Sequence, residues 1–232
     1  MSERYDLAII GAGNMAEAIV RGALAADVFT PRHAIAADPS DERRAVFASL
    51  GVEVTDDNAE AVGRAERVLL AVKPQTLSKL GETLGRIDGR RQCVISIMAG
   101  VRIAKIAEAI GGAGRIVLVG AGMSAVAAGA SASEGDVRFA DRLVAGAGAV
   151  VHVPEAMMDA VTAVSGSGPA YVFYLAEAMQ SAAESLGLDT EQAETLVTQT
   201  LVGAAALLRE SPDSAAALRR KVTSPGGSTE AA

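Results

Sequence analysis

Tryptophan is absent from the 232-residue chain, and aromatic residues make up only 3% of it. Half the residues are apolar, many of them alanine, beside 24 glycines, so close packing of helices and sheet through small side chains is expected. Cys93 is the only cysteine, which excludes an intrachain disulfide framework and points to a reducing compartment. It lies in the apolar run Cys93-Val94-Ile95-Ser96-Ile97, which reads as a strand and makes the thiol a buried, inert one. His33 and His152 are the only histidines, and neither belongs to a metal-spaced cluster, so neither a metal site nor a Ser-His-Asp triad is expected. Basic residues are outnumbered 21 to 28, and the net charge of -7 argues against a nucleic-acid partner. Long hydrophobic runs are lacking too. The weakly charged stretch 116–130 falls short of the ~20 apolar residues a spanning helix needs, and no basic region followed by an apolar signal segment opens the chain. The expected setting is the cytoplasm, with no membrane association.

What is present is an alternation. Short apolar runs at 7–10, 34–37, 67–71, 93–97 and 115–119 read as strands. Amphipathic stretches at 15–25, 41–50, 58–62, 76–84 and 103–110 read as helices between them. Strands apolar on both faces and joined by helices mean a parallel sheet covered on both sides. The character changes near residue 155. From there a helix over 169–186 ends at Gly187, and a second begins at Asp189 with Gln192 as capping-box partner. A third follows Ser211-Pro212-Asp213-Ser214 and ends near Val222. The expected fold is therefore α/β: a doubly wound (Rossmann) parallel sheet over residues 1–153, then an all-helical substrate and dimerisation domain over 154–232.

The first strand leads into Gly11-Ala12-Gly13-Asn14-Met15-Ala16 and a helix. Gly11 permits the tight turn, Gly13 lets the backbone approach a pyrophosphate, and Ala16 keeps helix and strand close. The helix N-terminus supplies free N–H groups for phosphate. Asp38 ends the second strand, where an acid accepts hydrogen bonds from adenosine ribose hydroxyls and favours NAD. Arg43 and Arg44 follow and offer cations to a 2′-phosphate, so NAD and NADP both stay open. A plain helix-capping role for Asp38 and Ser40 stays open as well.

Four further stretches carry a family resemblance: Ala71-Val72-Lys73-Pro74-Gln75, the run 94–101 ending in Ile97-Met98-Ala99-Gly100-Val101, Ser165-Gly166-Ser167-Gly168-Pro169-Ala170-Tyr171, and Val222-Thr223-Ser224-Pro225-Gly226-Gly227-Ser228-Thr229. Together they resemble the signature stretches of pyrroline-5-carboxylate reductases over nearly the whole chain. The resemblance implies hydride transfer from NADP or NAD cofactors to the imine of 1-pyrroline-5-carboxylate, giving proline. It implies cofactor contacts at Ile10, Gly11, Ala12, Gly13, Asn14, Met15, Asn58, Ala71, Val72, Lys73, Pro74, Ile97, Met98 and Ala99. The substrate would lie near Glu155 and against Ser224, Gly226, Gly227, Ser228 and Thr229 of a partner subunit in a homodimer or larger homo-oligomer. Small residues before a helix start offer backbone N–H donors to a carboxylate, and Thr229 would relay a proton to the ring nitrogen.

Two departures from the family pattern stand out. The family's Met-Pro-Asn-Thr-Pro loop is missing where Arg115-Ile116-Val117 passes directly to Leu118-Val119-Gly120-Ala121-Gly122-Met123. The family also continues beyond the Gly-Gly-Thr-Thr-like stretch, whereas this sequence ends at Glu230-Ala231-Ala232, and a helix starting there would be marginal. A relative that binds dinucleotide without turnover is thus an alternative. A hydroxy-acid dehydrogenase is another. It would need a catalytic lysine in the helical domain, where Lys221 reads better as a surface residue.

Overall fold

The computed structural model describes residues 4–112, 114–120, 124–146 and 148–231. The chain divides into two compact units, Met1–Gly168 and Pro169–Ala232. This division falls later than the change of character read at 153/154, because the short helical turns after the last strand pack with the first unit.

The first unit is built on an eight-stranded sheet. Its strands are β1 (Tyr5–Ile10), β2 (Ala34–Ala37), β3 (Glu53–Thr55), β4 (Ala65–Leu70), β5 (Cys93–Ser96), β6 (Arg115–Gly120), β7 (Ser124–Ala128) and β8 (Val150–His152). They lie in the order β3-β2-β1-β4-β5-β6-β7-β8. The first six run parallel; β7 is antiparallel to β6, and β8 is parallel to β7. The helices of this unit are α1 (Asn14–Ala25), α2 (Asp41–Ser49), α3 (Asn58–Gly63), α4 (Gly81–Leu84), α5 (Ile103–Ala109), α6 (Glu134–Ala145) and α7 (Met158–Val161).

Alternation along the strands separates two cores. Ala8, Ile10, Val68, Leu70 and Val94 meet Ala61, Val62 and Ile106 of α3 and α5 on one face. Leu7, Ile9, Leu69, Cys93 and Ile95 meet Ile19, Val20, Phe47 and Leu143 of α1, α2 and α6 on the other. Because both faces are covered, these strands read as continuous apolar runs.

All five expected strands are present. Three more were not foreseen, nor was α6. β3 is three residues long and carries a single aliphatic side chain, Val54. β7 is Ser124-Ala125-Val126-Ala127-Ala128, small residues without a strand's bulky signature. The α6 start was signalled by Ser133, whose side chain and that of Asp136 form a reciprocal capping box. The single helix expected over 76–84 is instead a tighter 3₁₀ stretch, Pro74–Leu80, followed by the one turn of α4. The junction of Val117 and Leu118, where the family loop was expected to be absent, lies within β6, and residues 121–123 just beyond it lie outside the described residues.

The second unit holds α8 (Gly168–Ser185), α9 (Thr190–Glu210), α10 (Ala215–Val222) and α11 (Ser228–Ala231). Gly187, at φ 98°, follows the end of α8. Asp189 and Gln192 form the expected capping box on α9, and Ser214 caps α10. Among its described residues only Ala193 and Val197 are buried apolar groups. Tyr171, Phe173 and Tyr174 are 58%, 70% and 74% exposed, and Leu196, Val202, Leu207 and Leu208 stand out from α9. Such surface on an isolated chain marks an interaction face.

Candidate dinucleotide and substrate site

Sheet register assembles the first part of the site. Ile10 pairs with Ala37 and with Leu70, Leu70 with Ser96, and Ser96 with Leu118. The residues that follow, Gly11, Asp38, Ala71, Ile97 and Val119, therefore line the carboxyl edge of the sheet. Strand order reverses between β1 and β4, which puts the crevice of a doubly wound sheet at Gly11 and Ala71.

Gly11 holds φ 94°, and a Cβ on it would stand 2.9 Å from the Ala71 carbonyl oxygen. Only glycine fits that turn. Gly13 is the opposite case: a Cβ there would meet nothing within 4 Å. It is the N-cap of α1 and has no side chain to cover the first N–H groups of the helix. This is a cradle that a pyrophosphate fits. Ile10, Ala12, Asn14 and Met15 lie on the same turn, and Met15 is 47% exposed.

At the end of β2, both oxygens of Asp38 are engaged. Oδ2 accepts from the Ala12 N–H at 2.8 Å, and Oδ1 from the Ser40 N–H at 2.9 Å. Ser40 in turn caps α2 by accepting from the Arg43 N–H. Asp38 is thus wired to the glycine turn itself, beyond its place at the end of β2. Asn58 is the first residue of α3, whose cap is Asp57.

At the ends of β4 and β5, the Ala71 N–H donates to the Ile10 carbonyl at 2.9 Å, and the Ile97 N–H to the Leu70 carbonyl at 3.1 Å. Lys73 is the N-cap, and Pro74 the first residue, of the 3₁₀ stretch after β4. Ile97, Met98 and Ala99 line a cavity of about 200 Å³ together with Val101, Leu118, Gly120 and Glu155. Glu155 Oε1 accepts from the Ile103 N–H at 2.7 Å, capping α5 from across the cavity. The cavity's far wall includes Thr162, Gly166 and Ser167. There a π-turn over Thr162–Gly166 is closed by the Ser167 N–H on the Thr162 carbonyl at 2.8 Å. Such turns recur at functional sites. Gly100, Arg102, Met158 and Asp159 also border the cavity. Of these, Gly100 belongs to the 94–101 stretch, whereas Arg102, Met158 and Asp159 carry no motif in the sequence and are joined to it only by the fold.

Ser224, Gly226, Gly227, Ser228 and Thr229 belong to the second unit. Gly226 takes φ 72°, and its N–H donates to Glu230 Oε2 at 2.6 Å. The Gly227 N–H donates to the Ser224 carbonyl at 3.0 Å. Thr229 is exposed in the single turn of α11. Lys221 is ion-paired to Asp213 on the surface of this unit. Cys93 is fully buried, and burial pushes its thiol up to about 12, so it stays protonated. No group of metal-ligating side chains occurs among the described residues, and none of their helices is long and apolar enough to cross a membrane.

A doubly wound sheet with a bare glycine turn at its switch point, continued by a cavity at the next strand ends, defines a Rossmann-type dinucleotide-binding protein. The family model described as NADP oxidoreductase, coenzyme F420-dependent, matches residues 6–100, and the one described as pyrroline-5-carboxylate reductase dimerisation matches 155–232. The chain is 40% identical to the pyrroline-5-carboxylate reductase of Haemophilus influenzae, over 97% of this chain and 87% of that protein. A pyrroline-5-carboxylate reductase structure from Coxiella burnetii superposes with a TM-score of 0.86 at 35% identity, covering 99% of this chain and 88% of the other. The Plasmodium falciparum pyrroline carboxylate reductase with NADP bound gives 0.83 at 26% identity, over 99% and 88%. The chain belongs to the pyrroline-5-carboxylate reductase family.

Proposed function

We propose that this chain reduces 1-pyrroline-5-carboxylate to L-proline, the last step of proline biosynthesis, with NADPH or NADH as hydride donor. The observation that carries this reading is the 40% identity to a pyrroline-5-carboxylate reductase over 97% of the chain. When bound, the cofactor supplies hydride to the imine carbon. The protein's own work is to hold the two rings in line and to keep water out. The turn from Ile10 to Met15 holds the pyrophosphate, Ala71 to Pro74 and Asn58 flank the dinucleotide, and Ile97 to Ala99 face the nicotinamide.

The substrate lies at the cavity beside Glu155, with its carboxylate on the Ser224–Thr229 loop of a second copy of the chain. Thr229 holds the proton at the ring nitrogen, which keeps the imine electrophilic. A homodimer or larger assembly is therefore needed, with residues 154–232 as its substrate and dimerisation domain. The buried, protonated Cys93 suits a reducing cytoplasm.

The test is oxidation of NADPH and NADH by the purified chain with and without the imine. Imine-dependent oxidation, reduced in Thr229→Ala, is the expected result; oxidation that ignores the imine but follows hydroxy acids sinks the reading. A second reading, cofactor binding without turnover, is favoured by one observation. The Glu230 carboxylate already accepts the Gly226 N–H that a substrate carboxylate would use. It predicts thermal stabilisation by cofactor and no oxidation.

A further inference from the structure

We propose that Glu17 sets the choice between NADH and NADPH by holding Arg43 away from a 2′-phosphate. The proposal rests on the dinucleotide reading above and concerns its adenosine end.

Ala12, in the middle of the glycine turn, is gripped from both sides. Its N–H donates to Asp38 Oδ2 at 2.8 Å, and its carbonyl accepts from Arg43 Nε at 2.6 Å. The acid that can read ribose hydroxyls and the cation that can meet a phosphate are thus fixed to one residue. Arg43 reaches further: its Nη2 donates to Glu17 Oε2 at 2.8 Å. Glu17 sits in the first turn of α1, beside the phosphate cradle, and its other oxygen accepts from Arg21 Nε at 2.9 Å. Hydrogen bonds from Arg43 and then Arg21 hold its carboxyl below the usual range, so it is ionised. Arg44 is committed elsewhere, with Nη1 on the Asp38 carbonyl at 2.6 Å and Nη2 on Asp41.

A ribose with free hydroxyls asks nothing of this arrangement. Asp38 can still accept through remaining lone pairs, and Arg43 stays on Glu17. A 2′-phosphate brings close to two negative charges to within reach of Asp38 and needs a cation. Arg43 can serve it by leaving Glu17, which keeps Arg21 as its partner. The Glu17–Arg43 pair therefore opposes NADPH and leaves NADH untouched. Their side chains are 22% and 23% exposed, so the competition is screened but real.

Calorimetric titration of the full chain with NADH and NADPH tests this. Glu17→Gln is expected to tighten NADPH roughly two- to fivefold, the range of a partly exposed ion pair, with NADH unchanged. Arg43→Gln should weaken NADPH roughly tenfold or more and NADH far less, and Arg43→Lys should retain part of the NADPH affinity through its charge. In the Glu17→Gln/Arg43→Gln double variant the Glu17→Gln gain should vanish, because the two side chains act as one pair. Equal changes for both cofactors, or a gain that persists without Arg43, would overturn the proposal. Binding of neither cofactor by folded wild-type chain would overturn the dinucleotide reading and this inference together.

Discussion

Replacing Gly11 by alanine places a Cβ 2.9 Å from the Ala71 carbonyl oxygen and at a φ that side chains rarely adopt. Replacing Gly13 places one in open space at ordinary φ. The two glycines of one motif thus have separable roles. Gly11→Ala should lower stability by about 1–3 kcal/mol and also lose cofactor. Gly13→Ala should leave the melting temperature of the free chain unchanged yet weaken cofactor binding; calorimetry and thermal denaturation read both. Asp136 gives a pH prediction. Burial alone would raise its pKa, but hydrogen bonds from Arg115 and Ser133 outweigh that and hold it well below the usual carboxylate range. A depressed carboxyl contributes stability that is present above its ordinary pKa of about 4 and is lost as pH falls below it. Asp136→Asn should cost about 3 kcal/mol at neutral pH, as a buried pair losing one partner does, and should flatten the acid limb of the stability profile. Asp38 shows the limit of reading residues from sequence. Its place after β2 was legible as a ribose acid or a cap, but its bond to Ala12 depends on two strands lying side by side.

At the scale of elements, the strands with bulky aliphatic runs were legible to within a residue or two, since burial on both faces leaves no polar positions to blur them. β7 and β8 were not. β7 is built of small residues and β8 is only the three residues Val150–His152, and they form on the far edge of the sheet by pairing with β6 and with one another. The end of β6 carries Leu118 and Gly120 to the cavity wall. One helix contact has no signature at all. α1 and α6 cross where a Cβ on Gly146 would lie 2.7 Å from Gly22 Cα. Gly146→Ala should force the helices apart and cost about 1–3 kcal/mol, seen as a lower denaturant midpoint. Helix caps, by contrast, are local, and Ser40, Asp189 and Ser214 act where the sequence placed them.

At the scale of the molecule, the two units have different kinds of surface. The first buries two complete cores, whereas the second leaves Tyr171, Phe173 and Tyr174 largely exposed on α8. Residues 155–232, which carry that face, match the family model described as pyrroline-5-carboxylate reductase dimerisation. Phe173→Glu is expected to shift the chain toward monomer in light scattering and to remove turnover, while cofactor binding by the first unit survives. Direct hydride transfer to the imine is tested most directly with an isotope. NADPH or NADH carrying deuterium at the transferred position is incubated with the chain and 1-pyrroline-5-carboxylate, and the proline formed is weighed by mass spectrometry. Direct transfer gives proline with a single deuterium on the former imine carbon. Unlabelled proline, or none from folded chain that binds cofactor, would contradict it.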